Sequence, residues 1–106
     1  MELLDRLHDA VQTDQGPAGM SGTLAIAVCE PAGTRWWQVF LDPMPRSRFL
    51  SEPPLRADAV LMIGVSEARA LLKGVAFPKP PLVEVLGDAV LVRRVLDRYL
   101  GIGGLP

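Results

Sequence analysis

The sequence contains few of the side chains on which most enzymes and metal sites depend. It has one cysteine and one histidine in 106 residues. A single cysteine excludes an internal disulfide and a multi-cysteine zinc site. The histidine, His8, has no positioned partner nearby of the kind that general-base catalysis needs, and we interpret it as a partly exposed surface residue. We therefore expect no catalytic residue, no metal site and no cofactor.

An excess of one charge and a long hydrophobic run are also absent. Eleven basic residues stand against twelve acidic ones, and the formal net charge is -1. A general nucleic-acid binder usually carries a basic excess, so we expect no nucleic-acid partner. No apolar run approaches the roughly 20 residues that span a bilayer. The chain starts Met-Glu-Leu-Leu-Asp, without the basic start of a signal peptide. We therefore expect a cytoplasmic protein with no membrane span.

Breaks in the chain are frequent, because ten glycines and ten prolines punctuate it. They predict short elements within a single domain that covers residues 1–106. Hydrophobic spacing then predicts each helix and strand. In chain order these are a helix over 2–12 within an N-terminal helical segment 1–15, strands over 23–30 and 35–42, a short edge strand over 48–51, a strand over 58–65, a helix over 67–73, a strand over 82–86, a helix over 89–100, and a tail over 101–106.

Four residues mark the ends of the second and third helices. Ser66 and Asp88 are predicted N-caps, and Gly74 and Gly101 are predicted to end the same helices, Gly74 in the left-handed conformation. Strands come first in the chain, and strands then alternate with short helices. This order predicts an α+β fold, with a mixed sheet and helices packed on one of its faces.

An almost gapless series of features extends from Ala57 to Pro78 and continues to the last helix. In order these are an Ala57-Asp58 strand start, the strand, Ser66, the helix with Leu71-Leu72, Gly74, Pro78, and the closing Val83-Glu84-Val85-Leu86-Gly87-Asp88 before a helix. Trp37 lies early in the second strand. This series resembles the sterol carrier protein type-2 domain, and the resemblance covers nearly the whole chain.

The resemblance implies a five-stranded sheet backed by helices, with an apolar tunnel between the two layers. It implies non-covalent binding of a sterol, a fatty acyl chain or another lipid, without catalysis. A chain of about 12 methylene groups would gain roughly 10 kcal/mol on leaving water, before ordering costs. The residues expected to line the cavity are Leu24, Ile26, Val28, Trp37, Val39, Leu61, Ile63, Leu71, Leu72, Phe77, Val83, Val85, Leu91, Val95 and Leu96.

The sequence departs from the family before its last strand. The family places a further short segment there, often helical, whereas Pro78-Lys79-Pro80-Pro81 leads straight into Leu82 in this chain. Part of the tunnel wall is therefore missing. The cavity is either smaller and filled by side chains, or open to solvent or to a partner.

The outer face of the predicted sheet is a second departure, because it is apolar where the family tends to be polar. A contiguous apolar patch without a covering helix is typical of an interface. We therefore predict a homodimer through this face. The alternative for the face is that the N-terminal helix covers it. The alternatives for the function are a dimeric interaction or scaffold domain without a cavity, and a domain that acts with a partner enzyme. The expected interface residues are Trp36, Phe40, Val60, Met62, Leu82 and Leu86.

Overall fold

A computed structural model describes residues 2–14, 16 and 19–101. All predicted helices and strands are present, with ends that differ from the predicted ones by at most two residues. Met1 and Gln15 of the predicted N-terminal segment and tail residues 102–106 lie outside the described residues. The elements are α1 (Glu2–Thr13), β1 (Thr23–Glu30), β2 (Gly33–Phe40), β3 (Arg46–Leu50), β4 (Ala59–Gly64), α2 (Val65–Lys73), β5 (Val83–Gly87) and α3 (Ala89–Leu100).

The five strands form one sheet in the order β3-β2-β1-β4-β5. β1 and β4 pair in parallel, and the other three pairs are antiparallel. The sheet is therefore mixed, and the predicted α+β fold is confirmed. β3 lies at one edge, as its flanking prolines predict, since proline has no backbone N–H to donate and is tolerated at the edge of a sheet. β5 forms the other edge.

One face of the sheet carries the helices. Alternate residues of β1, namely Leu24, Ile26 and Val28, are fully buried in the same cluster as apolar residues from α1, α2 and α3. α1 contacts β3, α2 and α3. The alternative in which the first helix covers the outer face is therefore wrong, because the helix packs in the same layer as the other two.

The outer face is partly covered by the connection between β3 and β4. β3 is separated from β4 by two strands, so residues 51–58 must cross the sheet to reach β4. Gln38 lies on the outer face, and its Nε2 donates a hydrogen bond of 2.9 Å to the carbonyl oxygen of Arg56. Only 2% of Gln38 is exposed, and Ala25 and Ala27 beside it are fully buried. The expectation of an uncovered face is therefore wrong, because the crossover segment lies over its centre.

The predicted interface residues differ in how far this crossover covers them. Trp36, Phe40, Val60 and Met62 are half-buried. Leu82 and Leu86, at the β5 edge, are exposed, since β5 is the strand farthest from the β3 side where the crossover begins.

The ends of the helices match the sequence at three of four positions. The Asp88 side chain accepts hydrogen bonds from the backbone N–H groups of Val90 and Leu91, which confirms the predicted N-cap. Gly74 and Gly101 end α2 and α3 in the left-handed conformation. The prediction for Ser66 is wrong. β4 runs directly into α2, so Gly64 is the N-cap and Ser66 is an exposed residue of the first turn.

Replacing Gly87 with alanine is expected to destabilise the fold by about 2–3 kcal/mol. Gly87 has φ +79°, and a Cβ there would collide with the backbone carbonyl oxygen of Asp58. Gly74→Ala is the matched control, because Gly74 has φ +68° and open space around it, and should lose about 1 kcal/mol. Urea unfolding of both variants measures the difference. Equal losses of stability in the two variants would show that the collision of the new Cβ with Asp58 adds nothing to the cost.

Candidate functional site

The residues predicted to line a cavity come together in one apolar layer between the sheet and the helices. Their spacing explains this, because alternate strand residues face the helices while residues one turn apart on the helices face the sheet. Eleven of them are buried in a single cluster, namely Leu24, Ile26, Val28, Trp37, Val39, Leu61, Ile63, Leu71, Leu91, Val95 and Leu96.

The other four predicted residues show where this layer approaches the surface. Leu72, Phe77, Val83 and Val85 are only partly buried and pack against the cluster. Val83 and Val85 lie on the helix-facing side of β5, where they pair with Ile63 and Leu61 of β4. In the part of the chain that the structure describes, no strand lies beyond β5, so the sheet side of the layer ends there. We call these four residues the β5 mouth.

Trp37 places a polar group inside the otherwise apolar layer. Its side chain is fully buried, and among the described residues its Nε1–H finds no hydrogen-bond acceptor. Most buried donors in proteins have a partner, and an unsatisfied one costs about 1–3 kcal/mol. The layer therefore holds a donor that can bind an oxygen atom of an apolar molecule placed beside it.

A polar cluster joins the ends of α1 and α3. Arg98 donates two hydrogen bonds to the Asp14 carboxylate, from Nε at 2.8 Å and from Nη2 at 3.0 Å, and the Tyr99 hydroxyl donates a third at 2.9 Å. The Arg98 hydrogen bond holds the pKa of Asp14 below its ordinary value of 3.8. Burial, followed by the hydrogen bond to Asp14, raises the pKa of Tyr99 to about 12. The cluster fastens the two helices over the core.

Asp14→Asn is expected to lower the free energy of unfolding by about 1 kcal/mol at neutral pH. Because the pKa of Asp14 is lowered in the folded chain, the folded state binds fewer protons than the unfolded state at acidic pH. The stabilisation is therefore complete above about pH 4 and is lost as the pH falls through the folded value. Urea unfolding at a series of pH values should show that the difference in free energy of unfolding between the variant and the wild type becomes smaller below about pH 4. Asp9→Asn, which removes one carboxylate from an exposed position of α1, is the control for the change in charge.

A polar cleft of about 380 Å³ lies beside this cluster, lined by Ala10, Thr13, Asp14, Arg98 and Tyr99. None of the residues predicted to bind a ligand lines it. Its polar lining suits water better than a hydrocarbon chain. The apolar layer, and not this cleft, is the candidate site.

His8 has partners that its sequence neighbourhood does not show. Its Nδ1 lies 2.7 Å from Ser47 Oγ on β3, and its Nε2 lies 3.0 Å from Gln12 Nε2. Its ring also contacts that of Phe49, with centroids 5.0 Å apart. His8 is partly exposed, as predicted, but it does have a partner, because Ser47 is distant in sequence and adjacent in the fold. The contacts hold α1 against the β3 edge.

Two classes of site receive no support from the part of the chain that the structure describes. No group of three or more His, Cys, Asp or Glu side chains in this part could hold a metal ion. Within residues 2–14 and 19–101, no helix is long and apolar enough to cross a membrane.

Comparisons of sequence and of structure give different results. Neither a protein-family model nor a curated protein matches the sequence. Among solved structures, palmitated SCP2L2 from Aedes aegypti, in a solution NMR structure, superimposes with a TM-score of 0.67 at 19% identity, over 90% of this chain and 88% of that one. The chain has the sterol carrier protein 2 fold.

Two further structures with the sterol carrier fold support the assignment. The crystal structure of Sterol Carrier Protein 2 Like 2 from Aedes aegypti gives a TM-score of 0.66 at 17% identity, over 91% of this chain and 92% of that one. Sterol Carrier Protein 2 from Yarrowia lipolytica, in its apo form, gives 0.55 at 20% identity, over 82% and 81%. The fold that the sequence resemblance implied is therefore confirmed, including its five-stranded sheet.

Proposed function

We propose that this chain is a non-catalytic lipid-binding module that holds a sterol or fatty acyl ligand between its sheet and its helices. One observation carries the proposal. A continuous apolar layer extends from Trp37 on β2 to the β5 mouth, where its side chains are only partly buried. The names of its structural neighbours, sterol carrier proteins and one palmitated form, support the same ligand class.

The binding energy would come from removing hydrocarbon from water. Each buried methylene contributes about 0.8 kcal/mol, so an acyl chain supplies enough free energy for binding even after the ordering costs are subtracted. The ligand enters at the β5 mouth, where Phe77 is the large side chain that it must displace. Its oxygen, when it reaches the inner part of the layer, accepts a hydrogen bond from Trp37 Nε1. No covalent bond is formed or broken.

Palmitate titration of a Trp36→Phe variant tests the proposal. That variant leaves Trp37 as the single tryptophan, and its buried indole reports on the apolar layer directly. We expect saturable binding with one ligand per chain, a change in Trp37 emission, and displacement of a fluorescent fatty acid over the same concentrations. Unsaturable binding without a change in Trp37 emission would contradict the proposal.

A dimeric interaction domain is the second candidate function, favoured by the exposed apolar edge of the outer face. Leu86 on β5 is 47% exposed and shares that face with the half-buried Val60, its partner on β4. Pairing of two copies through this edge would bury both side chains. Analytical ultracentrifugation at micromolar concentration is the test, and a single species of 11.5 kDa would exclude this dimer.

A further inference from the structure

A basic and apolar surface borders the β5 mouth. Residues 68–83 contain three basic side chains and no acidic one, although the whole chain has a net charge of -1. Arg69, Lys73 and Lys79 are all exposed. Between and beside them, Val75 is 53% exposed and Leu82 is 56% exposed. We call these five residues the basic rim.

The rim and the mouth belong to one stretch of chain. Leu72 and Phe77 of the mouth flank the rim residues Lys73 and Val75 in the sequence, and Val83 directly follows Leu82. Backbone contacts fix both ends of this stretch, because the Val75 N–H bonds the Ala70 carbonyl and the Gly64 N–H bonds the Leu82 carbonyl. The rim and the mouth therefore lie within a few residues of each other along an anchored segment.

We propose that the basic rim docks the protein on an anionic lipid bilayer, with Val75 and Leu82 among the headgroups and the three cations against anionic headgroups. The inference rests on the proposed lipid-binding function and adds the surface from which the ligand is taken. Exposed apolar side chains flanked by Lys and Arg match the boundary between headgroups and acyl chains, where both kinds of contact are available.

The basic residues near the opposite edge of the sheet fit this role less well. The guanidinium groups of Arg46 and Arg48 both lie over the Phe40 ring, at 5.0 and 5.2 Å from its centroid. The same stretch also contains the acidic residues Asp42 and Glu52. Glu67 and Glu84 flank the basic rim, so residues 67–84 keep a net charge of +1, whereas residues 42–52 have none.

Vesicle co-sedimentation tests the docking surface. The vesicles contain phosphatidylcholine and phosphatidylglycerol at about three to one, with pure phosphatidylcholine for comparison. Each basic side chain near an anionic surface strengthens binding about five-fold, so Lys73→Gln with Lys79→Gln should weaken binding to the mixed vesicles about 30-fold. Binding of the wild type should also fall as salt is raised and should be weak on pure phosphatidylcholine.

Arg93→Gln with Arg94→Gln is the matched control, since it removes the same charge from exposed positions of α3 outside the rim. It should bind mixed vesicles like the wild type. Equal binding by the Lys73/Lys79 variant and the wild type, or equal losses in the two double variants, would overturn the proposal. Val75→Ser with Leu82→Ser should weaken binding without changing the charge.

Ligand binding in the absence of vesicles separates this proposal from the function on which it rests. A long-chain alcohol, whose head is uncharged, should displace a fluorescent probe equally well from the wild type and from the Lys73/Lys79 variant. Docking without alcohol binding would contradict the lipid-binding function and leave the docking surface standing. Alcohol binding without docking would overturn the docking proposal alone.

Discussion

Replacing Val85 with glutamate is expected to weaken palmitate binding by at least about 100-fold. Val85 is half-buried on the helix-facing side of β5 and pairs with the fully buried Leu61. The introduced carboxylate can reach water at the sheet edge in the unliganded chain, so the fold should survive. A hydrocarbon chain in the mouth would strip that water away, and an unpaired charge without water costs several kcal/mol.

Leu86→Glu is the control for this variant. It introduces the same charge one residue further along the same strand, at an exposed position on the opposite face. We expect it to bind palmitate like the wild type in the displacement assay. If both variants bind normally, the ligand does not pass between β5 and the helices, and the mouth is misplaced.

Trp37→Ala is expected to lower the free energy of unfolding by about 4 kcal/mol. Trp37 is fully buried beneath the helices and is the largest of the fully buried side chains. Its removal would leave a cavity between the layers. Since a domain is stable by only about 5–15 kcal/mol in total, the variant should unfold at a much lower urea concentration. Removing the indole N–H offsets part of this loss of stability, because that donor has no acceptor among the described residues.

Trp36→Ala provides the comparison, because the same residue type lies next to Trp37 with its side chain on the other face. Trp36 is half-buried, and its truncation should cost about 1–2 kcal/mol. Equal losses from the two substitutions would mean that the helix-facing layer is not the main core. A larger loss from Trp36→Ala would point to an interface on the outer face.

Local patterns were sufficient to predict most elements of the fold. β1 and α3 have the predicted bounds, because each has unbroken periodicity between clear signals such as Gly22 before the strand and Asp88 before the helix. The left-handed Gly74 and Gly101 follow from the absence of a Cβ. All the residues expected in the ligand site lie in or against one cluster, since the helical repeat and the alternation of side chains along a strand determine which face a residue occupies.

Contacts between distant segments could not be predicted in the same way. The prolines between β3 and β4 predicted a loop but not its path, and the bond from Gln38 to Arg56 exists only because the crossover passes over that residue. The pairing of His8 with Ser47 likewise depends on α1 lying against β3. Ser66 looked like a cap because the sequence does not show that β4 enters α2 without a loop.

The sequence by itself determined the helices, the strands and the side chains that face the apolar layer, because these depend on local dihedral preferences and on hydrophobic period. Only the tertiary structure decided where that layer ends. Leu72, Phe77, Val83 and Val85 look no different in sequence from the residues of the closed core, yet all four are only partly buried. Val83 and Val85 lie on β5, which pairs with a single strand among the described residues. Strand order is set by packing between distant segments, and that packing leaves β5 at the edge of the sheet.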